Sequence, residues 1–264
     1  MLETVFHTDD VPAGMGADAY VEGLSRLHAP VAVVSSADEG FWAYKRIVEM
    51  GRVSLYTTGL DSLTIRRTPR MIRQSDPEMY NLALITRGTT VLTFDGRDRV
   101  YGPLELRTGE SSRPFELRMD SRGERVEAIC VDVPKAVLPL PRAMADRVIW
   151  RPLDGRGGVG ALFAGFLTTL AANTRSYTAA DVPRLETVLT DLLATLFAHE
   201  LDTLDAPRKP ATTPSPCACA PSSTNASATP TSPQTPWPRS TTSRSASCTG
   251  SSRRRLWRRA DRAR

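Results

Sequence analysis

The sequence predicts an α+β chain: an antiparallel β-barrel or jelly roll, then an α-helical segment, then a disordered tail. Three observations predict it. About ten short β-prone runs crowd residues 30–133, two apolar stripes at helical spacing follow residue 134, and large apolar residues nearly vanish beyond residue 206. The boundaries fall at 1–134 for the barrel with an opening helix, 135–206 for the helical segment and 207–264 for the tail.

The opening helix is read from residues 17–28, where Tyr20, Val21, Leu24 and Leu27 recur at helical spacing. The strand runs are Pro30–Val34, Phe41–Glu49, Arg52–Thr57, Ser62–Arg66, Tyr80–Thr86, Thr89–Phe94, Arg97–Tyr101, Leu104–Arg107, Phe115–Met119 and Val126–Val133. The clearest local signal is Asp95-Gly96 between two β-prone arms, the pair that a type I′ hairpin turn requires. After Pro134, Val159, Leu162, Phe163, Phe166, Leu167 and Leu170 form one helix face. Asp181 stands where an N-cap belongs, with Pro183 in the first turn of a longer helix. Its stripe is Val182, Leu185, Val188, Leu189, Leu192, Leu193, Leu196 and Phe197. That stripe is broad for one helix. It reads as packing against the 159–172 helix and in part as a dimer surface, with Leu185, Leu189, Leu192 and Leu196 as candidates.

Charge divides the chain at the same place as composition. Residues 1–206 carry 23 Lys+Arg against 28 Asp+Glu, a net −5, while residues 207–264 carry 11 against one, a net +10. The overall +5 therefore belongs to the tail and says nothing about the body. With nine Pro and twenty Ser/Thr, the tail lacks the apolar surface to offset roughly 1–2 kcal/mol of ordering entropy per residue. Cys130, inside the apolar run Val126–Val133, reads as a small buried hydrophobe, and no disulfide framework is expected. The N-terminus has no positive stretch followed by an apolar one, and no window approaches a membrane span. A cytoplasmic protein is expected.

Barrel-based metal enzymes need several histidines and a carboxylate converging from neighbouring strands. His7, His28 and His199 all fall outside the proposed strands, so neither a metal site nor a cofactor is expected. Ser111 and Ser112 sit in a turn with no nucleophile elbow and no partner histidine, and no catalytic residue is assigned. Gly155-Arg156-Gly157-Gly158 lacks the spacing of a phosphate-binding loop and reads as a connector. If the barrel encloses a small-molecule cavity, one alternating strand face lines it. Trp42 and Tyr44 on one strand, and Tyr80, Leu82 and Leu84 on another, are the candidates, with ordinary core packing as the alternative for each. Arg66, Arg67, Arg70 and Arg73 cluster around Pro69, and Arg113 sits in the Ser-Arg-Pro-Phe turn. They read as solvated charge or internal ion pairs, or else as an anion site for an acidic effector, and Arg113 is the pocket candidate among them.

Six segments in register carry a resemblance. They are Thr68-Pro69-Arg70-Met71-Ile72, Ser75-Asp76-Pro77, Leu82–Gly88, Asp95-Gly96-Arg97, Gly102–Leu106 and Ser112-Arg113-Pro114-Phe115-Glu116-Leu117. Together, over roughly residues 5–204, they resemble the N-terminal AraC-binding-like domain of AraC/XylS-type transcription regulators. The resemblance implies a cupin-like barrel, dimerising helices, and an effector pocket that regulates a C-terminal pair of helix-turn-helix motifs on promoter DNA. An unknown small-molecule effector and a homodimer are the partners it implies. The family commonly has aromatic-Asp-Thr before Ser-Arg-Pro, whereas Thr108-Gly109-Glu110-Ser111 stands here, so no ligand contact is carried over to that turn.

The DNA-binding half is expected to be lost. Residues 207–264 offer no amphipathic stripe to seat a recognition helix. Back-translating residues 217–252 and regrouping the codons by one base, with suitable synonymous choices, yields a sequence resembling the opening of an AraC-type DNA-binding domain. A frameshift is therefore expected. Cys217-x-Cys219 is then no zinc site, and Arg253-Arg254-Arg255 with Arg258 and Arg259 would attract polyanions without reading sequence. The rival readings are a cupin-type enzyme with an unusual or metal-free site, and a nucleic-acid-associated protein acting through the basic tail.

Overall fold

The computed structural model describes residues 2–36, 40–121, 124–206 and 258–261. Its strands are β1 (Leu2–His7), β2 (Ala32–Ser36), β3 (Ala43–Met50), β4 (Val53–Leu60), β5 (Leu63–Arg67), β6 (Met79–Arg87), β7 (Thr89–Phe94), β8 (Arg97–Tyr101), β9 (Glu105–Glu110), β10 (Phe115–Asp120), β11 (Val126–Pro134), β12 (Pro152–Asp154) and β13 (Arg258–Asp261). The helices are α1 (Gly16–Leu27), α2 (Pro69–Gln74), α3 (Arg142–Val148), α4 (Gly158–Ala172) and α5 (Val182–Asp205).

The strands form two antiparallel sheets. One runs β12-β9-β6-β11-β4-β3-β1-β13 and the other β2-β5-β10-β7-β8. Side chains from both sheets line a single cavity, so the sheets face each other as a cupin-like jelly roll. Every one of the ten expected strand runs is a strand, and the β7–β8 hairpin turns on Asp95 and Gly96 at φ 50° and 70°. Both values are positive, as a type I′ turn requires.

Register fixes which face each residue takes, because residues paired across a ladder share a face. Arg107 pairs with Ala83, Ala83 with Cys130, and Cys130 with Tyr56, while Asn81 pairs with Asp132 and Lys45 with Thr58. These point inward. On the other face Val48 pairs with Leu55, Leu55 with Val131, and Val131 with Leu82. That face lies under α4 and α5: α4 meets β4 and β11, α5 meets β3, and the Phe197 ring is 6.5 Å from that of Tyr80. The central strands β4, β6 and β11 are thus buried on both sides, and the outer side is the more apolar.

Four elements depart from expectation. β1 places His7 on a strand, α2 forms where the arginine cluster reads as loop charge, α3 is a helix within 135–206 for which no apolar stripe is read, and β12 is a strand inside that same helical segment. The six residues of α2 include no buried side chain, so they carry no apolar period; Thr68 Oγ1 accepts the Met71 N–H at 3.3 Å and Pro69 starts the turn. Asp181 does precede α5, but its carboxylate turns back to accept from the Thr178 N–H and hydroxyl at 2.8 and 2.7 Å instead of capping the helix. Of the tail, only Arg258–Asp261 lies among the described residues. It pairs with β1; the expectation of a disordered tail otherwise falls on residues outside those described.

Candidate functional site

Between the sheets lies a cavity of about 160 Å³. That matches the space in which an engineered apolar cavity holds benzene. Helix α1 covers one side with Tyr20, Leu24 and His28, spaced four apart on one helix face. Ile65, Leu92, Leu117 and Met119 line it from the five-stranded sheet, and Trp150 and Phe115 close another side. The Trp150 indole stacks on Phe94 at 4.1 Å, and a side chain at Gly109 would meet it at 3.3 Å, so the glycine in the divergent Thr108-Gly109-Glu110 stretch, which lies on β9, makes room for that ring.

The floor is the inward face of the large sheet, and it is polar. Asp132 on β11 bonds His28 Nδ1 and, at 2.6 Å, accepts from Asn81 Nδ2. Asn81 also donates to Tyr56 Oη at 2.8 Å and accepts from Arg107 Nη2 at 3.1 Å. Burial works against ionisation of Asp132, but its bonds to His28 and Asn81 and the charge of Lys45 hold its carboxyl below the usual range. Burial and the neighbouring Lys45 lower His28, so the neutral ring donates from Nδ1. Cys130 is a buried free cysteine whose thiol burial pushes up to about 11, so it stays protonated.

Lys45 is 2% exposed. Its Nζ lies 3.7 Å from the centre of the Tyr56 ring, and it has no hydrogen bond or ion pair among the described residues. Burial pulls its pKa down to about 8, against the attraction of Asp132. Glu110 also reaches the cavity, but Lys135 and, at 3.0 Å, Arg113 take its charge. Three polar atoms of lining residues, His28 Nε2, Thr90 Oγ1 and Arg107 Nε, are buried without a partner among the described residues. Native interiors leave few such groups, and each asks for an explanation.

None of the pocket residues expected from sequence lines this cavity. Tyr80, Leu82 and Leu84 point to the other face of β6, beneath the helices, while Met79, Asn81 and Ile85 point in. Tyr44 likewise faces away where Lys45 faces in. Trp42 lies outside with Arg125 at 3.8 Å over its ring and His7 at its edge, and Arg113 is half-exposed beside Glu110. The parity was inverted because the most apolar face was assigned to the pocket, whereas that face packs on helices. His28, expected to sit apart from any site, is brought in by α1. One signal could have found the true set: Lys45, Asn81, Arg107 and Asp132 are polar residues interrupting β-prone runs at alternating positions.

The arginine cluster resolves into separate roles. Arg67 is 1% exposed and donates from Nε to Ser111 O at 2.6 Å, from Nη1 to Pro30 O at 2.7 Å and from Nη2 to Ser75 O at 2.7 Å. It staples three loops. Arg66 pairs with Glu116 on the neighbouring strand, and Arg70 and Arg73 are exposed on α2. Ser111 Oγ donates to Asp76 at 2.6 Å and accepts the Met79 N–H at 2.9 Å, so its hydroxyl is committed to structure. Among the described residues, no cluster of three or more His, Cys, Asp and Glu is arranged to hold a metal ion.

Of the dimer candidates, Leu189 and Leu196 are fully buried inside this chain, and Leu185 and Leu192 pack against the same core. The first two cannot face a partner. The apolar side chains exposed on these helices are Leu162 at 66% and Val188 at 49%.

Residues 22–198 match the model of the AraC-binding-like domain. The crystal structure of the AraC-like transcriptional activator CuxR superposes with a TM-score of 0.64 at 19% identity, covering 80% of this chain and 72% of that one. The EutQ protein of Clostridium difficile (TM-score 0.29, 12% identity, 39% of this chain and 75% of that one) is also similar. So is a cupin superfamily protein of Desulfitobacterium hafniense (0.26, 13%, 41% and 80%). No curated protein sequence matches the chain.

Proposed function

The chain belongs to the AraC-binding-like domain family, and from that premise we propose that it is the sensory half of a transcription regulator, whose cavity binds a small-molecule effector. The observation that carries this is the cavity between the sheets, whose lining holds three buried polar atoms without a partner among the described residues. Such atoms are costly to leave unsatisfied, and a ligand in the cavity would complete them. The chain acts by binding and not by chemistry: Ser111 is held by Asp76 and Met79, and the Cys130 thiol stays protonated.

Effector binding in such a sensor shifts a population between two states through its differential affinity for them. Helix α1 is the element placed to report it, since it forms one wall of the cavity and is tied to the floor by His28. The α4–α5 pair serves dimerisation, with Leu162 and Val188 as its exposed apolar residues. The protein works in the cytoplasm; no helix among the described residues is long and apolar enough to cross a membrane. Residues 207–264 carry no amphipathic helix pair in their sequence, so these residues would give only salt-sensitive, sequence-blind association with DNA. The nucleotide sequence across codons 200–264 tests the frameshift; an alternative frame that closes within a few codons would sink that part.

The sensor reading is tested by melting the purified chain against a panel of small metabolites. A true effector at about a hundred times its dissociation constant adds about 2.7 kcal/mol of stability. A panel covering sugars, acids, amines and aromatics with no stabilising member would overturn it.

A further inference from the structure

We propose that the effector is a small carboxylate joined to an apolar body, with its carboxylate held by Lys45 and Arg107. This rests on the sensor reading and names the ligand class that the cavity selects.

The charge inside the cavity does not balance. Of the three lining cations, Arg67 spends its guanidinium on three backbone carbonyls, which leaves Lys45 and Arg107 against one carboxylate not already paired with a cation, that of Asp132, because Glu110 is paired with Lys135 and Arg113. Asp132 is itself engaged by His28 and Asn81, so neither cation has a carboxylate in hydrogen-bond contact among the described residues. Lys45 offers three donors and uses none on protein atoms; it rests on the face of Tyr56. Arg107 makes a single hydrogen bond, to Asn81, and its buried Nε has no partner. The two cations are close enough to repel, and Arg107 disfavours the charged form of Lys45. An isolated buried cation is costly unless it is paired and hydrogen-bonded. A bound anion supplies both, and a carboxylate suits the donor fork of Arg and the point charge of Lys.

The remaining walls fix the other end of the ligand. Leu24, Leu60, Ile65, Leu92, Leu117 and Met119 offer no polar atom, and the free space admits a body about the size of a benzene ring. A sugar would strand most of its hydroxyls against that surface. A monoacid with a ring or a short chain satisfies both ends.

The test is calorimetric titration of the full chain at pH 7 with benzoate, phenylacetate and hexanoate, each against its primary amide. The acids are expected to bind at least tenfold more tightly than the amides. Lys45→Met is expected to erase that preference and Lys45→Arg to keep most of it, with melting temperatures recorded to confirm that each variant folds. Arg107→Lys provides an independent variant, expected to weaken the acids severalfold while leaving the amides unchanged. Equal binding of acids and amides overturns the carboxylate assignment yet leaves the sensor reading standing, because the cavity still takes small molecules. Acids that fail to bind while a neutral sugar or amine binds overturn it in the same way. Tight acid binding that survives Lys45→Met and Arg107→Lys unchanged also overturns it, by placing the anion elsewhere.

Discussion

His28 Nδ1 is hydrogen-bonded to the carboxylate of Asp132, and that contact joins the end of helix α1 to the floor of the cavity 104 residues further along the chain. It is partly buried, and it links the covering helix to the polar residues that a ligand would touch. A ligand that engages Lys45 or Asn81 perturbs Asp132, and through it the helix.

His28→Ala is expected to loosen α1 more than the rest of the domain. It leaves Asp132 buried with Asn81 as its remaining hydrogen-bond donor, a loss on the order of 1–3 kcal/mol. Hydrogen exchange should accelerate over residues 16–28, with β6 and β11 protected as before. Uniform acceleration through both sheets would show that the contact supports the whole fold and not the helix.

Acid should weaken the protein in two stages. The folded-state pKa of His28 lies below its ordinary 6.5, so the unfolded chain binds the proton first, and stability present above pH 6.5 is lost as pH falls through that value towards the folded one. Asp132 is also lowered, so its contribution is present above about 3.8 and lost below it. Urea midpoints between pH 4.5 and 7.5 should fall on acidification, and His28→Gln should flatten that slope. An unchanged slope in the variant would assign it to other groups.

Lys45→Met is expected to stabilise the ligand-free protein by about 1–4 kcal/mol at pH 7, since it removes an unpaired buried charge. The folded pKa of about 8 lies below the unfolded 10.5, so wild-type stability should rise between those values as the lysine sheds its proton. Affinity for a carboxylate should fall over the same window. The groups facing Lys45 are Asp132, His28, Arg107, Cys130 and Tyr56, and the Cys130 thiol, at about 11, titrates above it. Denaturation and calorimetry at pH 7, 8 and 9.5 check both halves.

Arg67→Met should cost roughly 3–5 kcal/mol, because three carbonyls that now accept from one guanidinium would be left without it. Arg67→Lys should recover little of that loss, as one ammonium cannot reach the Ser111, Pro30 and Ser75 carbonyls together. Chemical denaturation of both variants decides it; a lysine variant as stable as wild type would reduce the staple to a simple charge effect.

The helical pair can be split into core and surface by mutation. Leu189→Ala is expected to cost about 2–5 kcal/mol from a fully buried site. The double change Leu162→Asp with Val188→Asp should leave the melting temperature nearly unchanged and move the protein to monomer in sedimentation. If that variant sediments as wild type does, the dimer surface lies elsewhere.

The sequence by itself determined the local elements. Alternation located ten strands because a pleated strand shows its period within a few residues, and the Asp95-Gly96 pair named its own turn because the backbone conformation there depends on two residues alone. The α4 and α5 stripes were legible for the same reason, each being long enough to repeat its period. What the tertiary structure decided was which face of each strand meets which neighbour. Tyr80 and Asn81 are adjacent, and either could have pointed inward; the choice was made when α4 and α5 covered the greasier face and left Lys45, Asn81, Arg107 and Asp132 to the cavity. Likewise, nothing local to His28 announces Asp132, since a contact across 104 residues exists only once α1 has folded over the barrel. Short-range periodicity is written in the chain, but inside and outside are properties of packing, and packing belongs to the whole molecule.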